Sequence, residues 1–143
     1  MADQSIQYFT LEEANRTLPY VRPIVCDIVD TYKKWQDGVR RYEVVAAGSR
    51  SDHGETEEQA VVRKEVDKVA RQINEYLDEL SAVGCVFKGF DGGLVDFFSR
   101  LEGRDVFLCW KIGEQEITYW HELDAGFAGR QELVPELIRG GSE

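Results

Sequence analysis

The fold is decided by residues 94–131, which read LVDFFSRLEGRDVFLCWKIGEQEITYWHELDAGFAGRQ. Three runs in this stretch, 94–100, 105–111 and 116–121, are rich in aromatic and β-branched residues and are separated by glycine-bearing turns. This pattern is typical of antiparallel strands joined as hairpins. We therefore predict a three-stranded β-meander, to which residues 85–87 could add a fourth strand.

Short loops fix the predicted pairing of these strands. Phe97 is expected opposite Leu108 in the first hairpin, and Leu108 opposite Tyr119 in the second. Because side chains alternate between the two faces of a strand, one face is apolar and predicted to be buried. It would carry Val95, Phe97, Val106, Leu108, Trp110, Ile117 and Tyr119, with His121 at its end. The other face is mixed and would carry Asp96, Phe98, Arg100, Phe107, Cys109, Lys111, Glu116, Thr118 and Trp120. A slip of one residue would exchange the two faces.

Two long helices are predicted before the meander. The first begins at a capping box in residues 10–13 and is expected to break at Pro19 or Pro23 before it continues as a long helix. The second is expected over residues 56–83 and to end at Gly84. In both helices apolar residues recur at alternating steps of four and three, which predicts an antiparallel helical hairpin.

The expected fold is therefore α+β, with a long antiparallel helical hairpin packed on a three- to four-stranded antiparallel β-meander. We expect one domain, in which residues 9–84 are helical, 85–131 form the sheet and a glycine-rich loop, and 132–143 form a tail. About 25 residues of helix span roughly 38 Å, whereas a six-residue strand spans only about 20 Å. The sheet cannot cover the whole hairpin, so we expect a homodimer in which a second subunit covers the rest of the helical stripe.

Composition excludes several classes of function. The chain has 143 residues, 27 acidic against 17 basic side chains, and a net charge of -10, which disfavours nucleic acid as a partner. It lacks the charge-free apolar run of roughly 20 residues that a membrane helix needs, and we see no secretory signal at its start. Three widely spaced cysteines without a C-x-x-C pattern favour reduced thiols and a cytoplasmic location.

A metal site is one interpretation of the polar group His121, Glu122 and Asp124. An imidazole and carboxylates together can hold a divalent transition metal as a cofactor. However, His121 and Glu122 are neighbours and point to opposite faces of a strand. The alternative is a structural histidine that forms a hydrogen bond to a helix side chain.

A second group of candidates could bind a ligand or a partner. It comprises Asp96, Arg100, Cys109, Trp110, Glu114, Trp120 and Arg130. The predicted register places Asp96 opposite Cys109, and a nearby carboxylate disfavours the thiolate, which argues against an activated nucleophile. Arg130 follows two glycines and would either help to bind an anion or pair with a carboxylate. No Gly-Lys-Ser/Thr phosphate loop is present.

Four motifs resemble a prokaryotic family known as domain of unknown function 2203. They are FTLEEAN at 9–15, GLVDF at 93–97, LCWKIGE at 108–114 and WHELDAGFAGRQ at 120–131. The resemblance runs from residue 9 to about residue 133. Glu132 stands where the family motif has proline. The resemblance implies a compact cytoplasmic protein and implies no particular activity.

The sequence favours a small non-catalytic binding or assembly module that uses the mixed sheet face or the hairpin. The alternative is a metal-binding protein or a metal-dependent enzyme with its site around His121. No catalytic residue and no small-molecule substrate is indicated, so whether the protein is an enzyme stays open.

Overall fold

The computed structural model describes residues 6–48 and 54–135. Its elements in chain order are α1 (Leu11–Gly48), α2 (Glu57–Val83), β1 (Val86–Gly89), β2 (Leu94–Leu101), β3 (Arg104–Lys111), β4 (Tyr119–Glu122), a 3₁₀ turn (Phe127–Gly129) and β5 (Gln131–Glu132). The predicted α+β fold is confirmed, with two helices packed against an antiparallel sheet. The sheet has five strands in the order β1-β2-β3-β4-β5, one more than the upper prediction. Most of the predicted tail, 132–143, lies outside the described residues.

Helix α1 is continuous, so the predicted break at the prolines is wrong. The helix runs for 38 residues with Pro19 and Pro23 inside it. Both prolines lie on the exposed side of the helix, where water can hydrate the carbonyl groups that lose their helical partner. The opposite side buries Leu18, Val21 and Val25, and this packing outweighs the cost of the missing hydrogen bonds.

Both helices begin at capping boxes. Thr10 Oγ1 accepts from the backbone N–H of Glu13, and Glu13 Oε1 accepts from that of Thr10, at 3.1 and 2.9 Å. Thr56 and Gln59 form the same reciprocal pair at the start of α2, which ends at Gly84 in a left-handed conformation with φ of 107°. The predicted bounds of α2 are therefore confirmed.

The first hairpin has the predicted register. Phe97 lies opposite Leu108, and Val95 opposite Trp110. The connection is tight, because Glu102 and Gly103 both adopt positive φ, 53° and 78°, as the two central residues of a type I′ turn do. The apolar side chains of this hairpin lie in the main core against α1 and α2, as predicted.

The second hairpin is shifted by one residue, and the predicted register there is wrong. Leu108 lies opposite Trp120 and not Tyr119. The predicted strand 116–121 starts only at Tyr119, because residues 112–118 form a longer loop. That loop is anchored by the backbone N–H of Ile117, which donates to Asn15 Oδ1 of α1 at 2.8 Å.

The shift turns every side chain of β4 to the other face. Trp120 joins the core against the helices, whereas Tyr119 and His121 pair with Cys109 and Phe107 on the opposite side of the sheet. We call this side the outer face; its members are Asp96, Phe98, Phe107, Cys109, Tyr119 and His121. Asp96 and His121, expected on opposite faces, therefore lie on the same one.

Both edges of the sheet are short. Strand β1 has four residues, three of which pair with β2, and it is interrupted by a bulge between Phe87 and Gly89. At the other edge, β5 has only two residues. In 6–48 and 54–135, neither helix has a stretch apolar enough to cross a membrane.

Candidate metal centre

A backbone hydrogen bond holds the imidazole of His121 on β4. Nδ1 lies 2.7 Å from the carbonyl oxygen of Glu122. A carbonyl oxygen only accepts, so Nδ1 carries a proton and donates it. In the neutral ring, the lone pair is then on Nε2. Metal-binding histidines are oriented by this kind of contact, which fixes the tautomer and leaves the other nitrogen for the metal.

Asp96 on β2 presents its carboxylate to the same nitrogen. Oδ1 and Oδ2 are each 3.1 Å from Nε2 of His121. A lone pair that faces two carboxylate oxygens is repelled unless a cation lies between them. That cation is either a proton shared between Nε2 and the Asp96 carboxylate or a metal ion.

Cys109 on β3 completes the cluster. It lies directly opposite Asp96 in the ladder, and the ligand atoms of Asp96, Cys109 and His121 all lie within 4.8 Å of one another. The three residues are 3%, 1% and 2% exposed, respectively. Three potential metal ligands of different chemistry thus converge from three adjacent strands, in a place that bulk water does not reach.

The thiol of Cys109 is not a nucleophile in the metal-free protein. Burial raises its pKa to about 12; the Asp96 carboxylate adds to the increase and the guanidinium of Arg130 opposes it. The thiol is therefore protonated at neutral pH, and only a thiolate attacks. A bound metal ion would reverse this, because coordination deprotonates a thiol.

Arg130 connects the C-terminal turn to loop 112–118 beside the cluster. Its Nη2 donates to Glu114 Oε1 at 2.7 Å and to the carbonyl oxygen of Cys109 at 3.2 Å. Burial lowers the pKa of Arg130, but the hydrogen bond and ion pair with Glu114 contribute to a larger opposite effect, and the net pKa is raised. Arg130 is therefore a fixed positive charge next to Cys109, and its carboxylate partner is Glu114.

Other sequence candidates lie away from the cluster. Trp110 and Trp120 are core residues on the helix side of the sheet, and Trp110 Nε1 donates to the carbonyl oxygen of Glu114 at 2.8 Å. Arg100 pairs with Asp105 at 2.9 Å, and both are exposed at the end of the first hairpin.

The structure does not bring the carboxylates of Glu122 and Asp124 to the ring of His121, which Glu122 contacts only through its backbone carbonyl. Glu122 alternates to the other face of β4, where its carboxylate lies 2.8 Å from an arginine of β3. Asp124 is exposed in the turn after β4. Asp96 and Cys109 lie next to His121 instead, because the one-residue shift turns the imidazole to the outer face.

Sequence reasoning connected neither of two further neighbours of the cluster with His121. The ring of Phe107 lies 5.4 Å from that of His121, and Lys88 Nζ lies 5.1 Å from the centre of the Phe107 ring. Phe107 was placed on the correct face, but the wrong register separated it from the imidazole. Lys88 lies on the short edge strand β1, and no local pattern in the sequence links it to β3.

These features define a class of protein: a small α+β domain with a helical hairpin on one side of its meander and a buried Asp-Cys-His cluster on the other. Residues 7–133 match the model of the family described as "Uncharacterized conserved protein (DUF2203)", and the chain belongs to that family. The resemblance seen in the four motifs is thereby confirmed. No curated protein and no solved structure matched the chain.

Proposed function

We propose that this protein binds a divalent transition-metal ion, with zinc as the first candidate, through Asp96, Cys109 and His121. The observation that carries the proposal is the arrangement at His121 Nε2. The backbone holds the proton on the other ring nitrogen, while two carboxylate oxygens face Nε2 at 3.1 Å. A metal ion in that position replaces repulsion by coordinate bonds.

The spacing of the side chains suits zinc. With bonds of about 2.0 to 2.3 Å in a tetrahedron, neighbouring nitrogen, oxygen and sulfur ligands lie roughly 3.3 to 3.6 Å apart. The Asp96–His121 separation is 3.1 Å, and no pair in the cluster exceeds 4.8 Å. Small rotations of the three side chains would therefore accommodate the ion.

The ligand types select the kind of metal. A thiolate and an imidazole favour zinc and other late transition metals over magnesium, calcium and manganese, which prefer oxygen ligands. A thiolate ligand also has to remain reduced. The three cysteines are free, which supports our proposal that the protein works in a reducing compartment such as the cytoplasm.

Elemental analysis of untagged protein tests the proposal. We expect close to one zinc ion per chain in the wild type, and loss of that zinc in His121→Ala and Cys109→Ser. Cys26→Ser is the matched control, because Cys26 is exposed on α1 and should leave the metal content unchanged. Wild-type protein that takes up no transition metal on addition of zinc would show that a proton, and not a metal ion, lies between His121 and Asp96, and the proposal would be wrong.

We propose, as a second function, that the hairpin assembles with a second copy of the chain. The core shared with the sheet reaches only Ile28 on α1, and the 20 further residues to Gly48 extend roughly 30 Å at 1.5 Å per residue. Val44 and Val61 are 72% and 68% exposed, and each is four residues from its helix end at the tip of the hairpin. If the hairpin of a second copy covered these valines, the two hairpins would form a four-helix bundle.

Light scattering after size exclusion tests the assembly. We expect a dimer at micromolar concentration for the wild type and a monomer for the double substitution Val44→Lys and Val61→Lys. The control is Leu123→Lys, at an exposed apolar residue remote from the hairpin tip, which should stay dimeric. A wild-type monomer at all concentrations would refute the assembly and leave the metal proposal intact.

A further inference from the structure

The cluster supplies three ligands and leaves a four-coordinate ion one position short. Within 6–48 and 54–135, no fourth histidine, cysteine or carboxylate atom joins the group. Structural zinc sites are closed by four protein ligands, whereas sites that bind an exchangeable ligand have three. This inference rests on the metal site proposed above. Because only three side chains coordinate the ion, its fourth coordination position should be filled by a ligand from outside the cluster.

Arg130 is the positively charged group next to Cys109, and we expect it to contact a ligand in that position. Its guanidinium is anchored on the carbonyl oxygen of Cys109 at 3.2 Å and lies 4.1 Å from the centre of the Tyr119 ring. Nη2 also donates to Glu114, whereas Nε is buried and has no oxygen or nitrogen partner among the residues that the structure describes. The other neighbour of the guanidinium is the side chain of Cys109, whose sulfur is a weak acceptor. Buried donors in proteins almost always have a partner, so an acceptor supplied by a ligand would complete this group.

The charge and the burial of the site limit which ligands it can bind. The charges of Asp96, a Cys109 thiolate and a divalent ion sum to zero, and those of Arg130 and Glu114 cancel, so a buried ligand should add no more than one negative charge. The two unsatisfied groups, the ion and the Nε donor, both favour an acceptor that carries negative charge. The ligand must also be small, because the three cluster residues are no more than 3% exposed.

We propose that the bound metal ion and Nε of Arg130 together bind a small monovalent anion of a few atoms, of the size of azide or formate. Arg130 acts as an anion-binding residue and Glu114 holds its guanidinium in place. The same carboxylate competes with the anion for the positive charge of the arginine.

Cobalt-substituted protein tests the inference, because the visible absorption of cobalt(II) changes when one of its ligands is exchanged. We expect a saturable spectral change on titration with sodium azide and with sodium formate, and none with perchlorate at the same ionic strength. Arg130→Lys keeps the charge but removes Nε, so azide should bind about tenfold more weakly or worse. Arg40→Lys, on the distal part of α1, is the matched control and should bind azide as the wild type does.

Glu114→Gln gives a second, independent test in case Arg130→Lys does not fold. Removing the competing charge should strengthen azide binding severalfold. Protein that holds one cobalt ion but shows no spectral response to either anion would overturn the anion site and leave the metal site standing. Failure to bind cobalt would overturn both, and azide affinity unchanged in Arg130→Lys and in Glu114→Gln would remove the role of Arg130.

Discussion

The hydrogen bond between Asn15 and Ile117 should control both stability and the position of His121. In the wild type, the backbone N–H of Ile117 donates to Asn15 Oδ1 at 2.8 Å. Asn15→Ala removes this acceptor, and the N–H is buried, because Ile117 is only 1% exposed. An unsatisfied buried donor costs about 1 to 3 kcal/mol, and alanine returns roughly 0.6 kcal/mol through its higher helix propensity. We expect a net loss of about 0.5 to 2.5 kcal/mol in the free energy of unfolding, or roughly 2 to 7 °C in Tm.

Urea unfolding followed by circular dichroism measures this loss. Asn74→Ala is the matched control, because Asn74 is an exposed asparagine in α2 and should be neutral or slightly stabilising. The loop that Asn15 anchors sets the register of β4, so zinc affinity should fall together with stability. If Asn15→Ala unfolds at the same urea concentration as Asn74→Ala and binds zinc normally, this contact does not hold the register.

Further predictions concern the thiols, the helical hairpin and pH. Under native conditions at pH 8, a thiol reagent should modify the exposed Cys26 quickly and the other two cysteines slowly, because burial raises the pKa of Cys85 to about 11 and that of Cys109 to about 12. Cys26→Ser should therefore remove the fast phase of modification. A fast phase that survives in this variant would contradict the burial of Cys85 and Cys109. A Cβ on Gly38 would lie 2.9 Å from Val66 Cγ2, so Gly38→Ala should lower the free energy of unfolding in spite of the higher helix propensity of alanine. A double-mutant cycle measured by urea unfolding should show that Val66→Ala relieves this loss. Additive effects of the two substitutions would contradict the steric contact. Zinc binding must displace the proton of a thiol whose pKa lies near 12, so affinity measured with a chelating indicator should rise roughly tenfold per pH unit through neutral pH and fall on acidification; an affinity independent of pH would exclude the thiolate as a ligand.

Sequence patterns predicted most of the fold because they are local. The capping box at Thr10, the stop at Gly84 and the turn at Gly103 each depend on residues close together in the chain. The register of the first hairpin followed from that turn. The continuity of α1 could not be predicted in this way, since the helix passes through Pro19 with its other side buried in a core shared with α2 and the sheet, which is distant in sequence.

The candidate site depended on one contact that is distant in sequence. His121 was recognised as a candidate, and Asp96 was placed correctly opposite Cys109. What joined them was the length of loop 112–118, which is anchored on Asn15 at a separation of 102 residues. A strand as short as β4, which has four residues, fits either register about equally well by pattern alone, and the error of one residue moved the imidazole to the wrong side of the sheet.

The shape of the sheet edges also affects how this protein behaves at high concentration. Polymerisation by strand addition needs a long, flat row of free backbone N–H and carbonyl groups. Strand β1 is kinked by its bulge and β5 ends after two residues, so neither side presents such a row. The open ends of the sheet thus offer a poor template for amyloid-like growth.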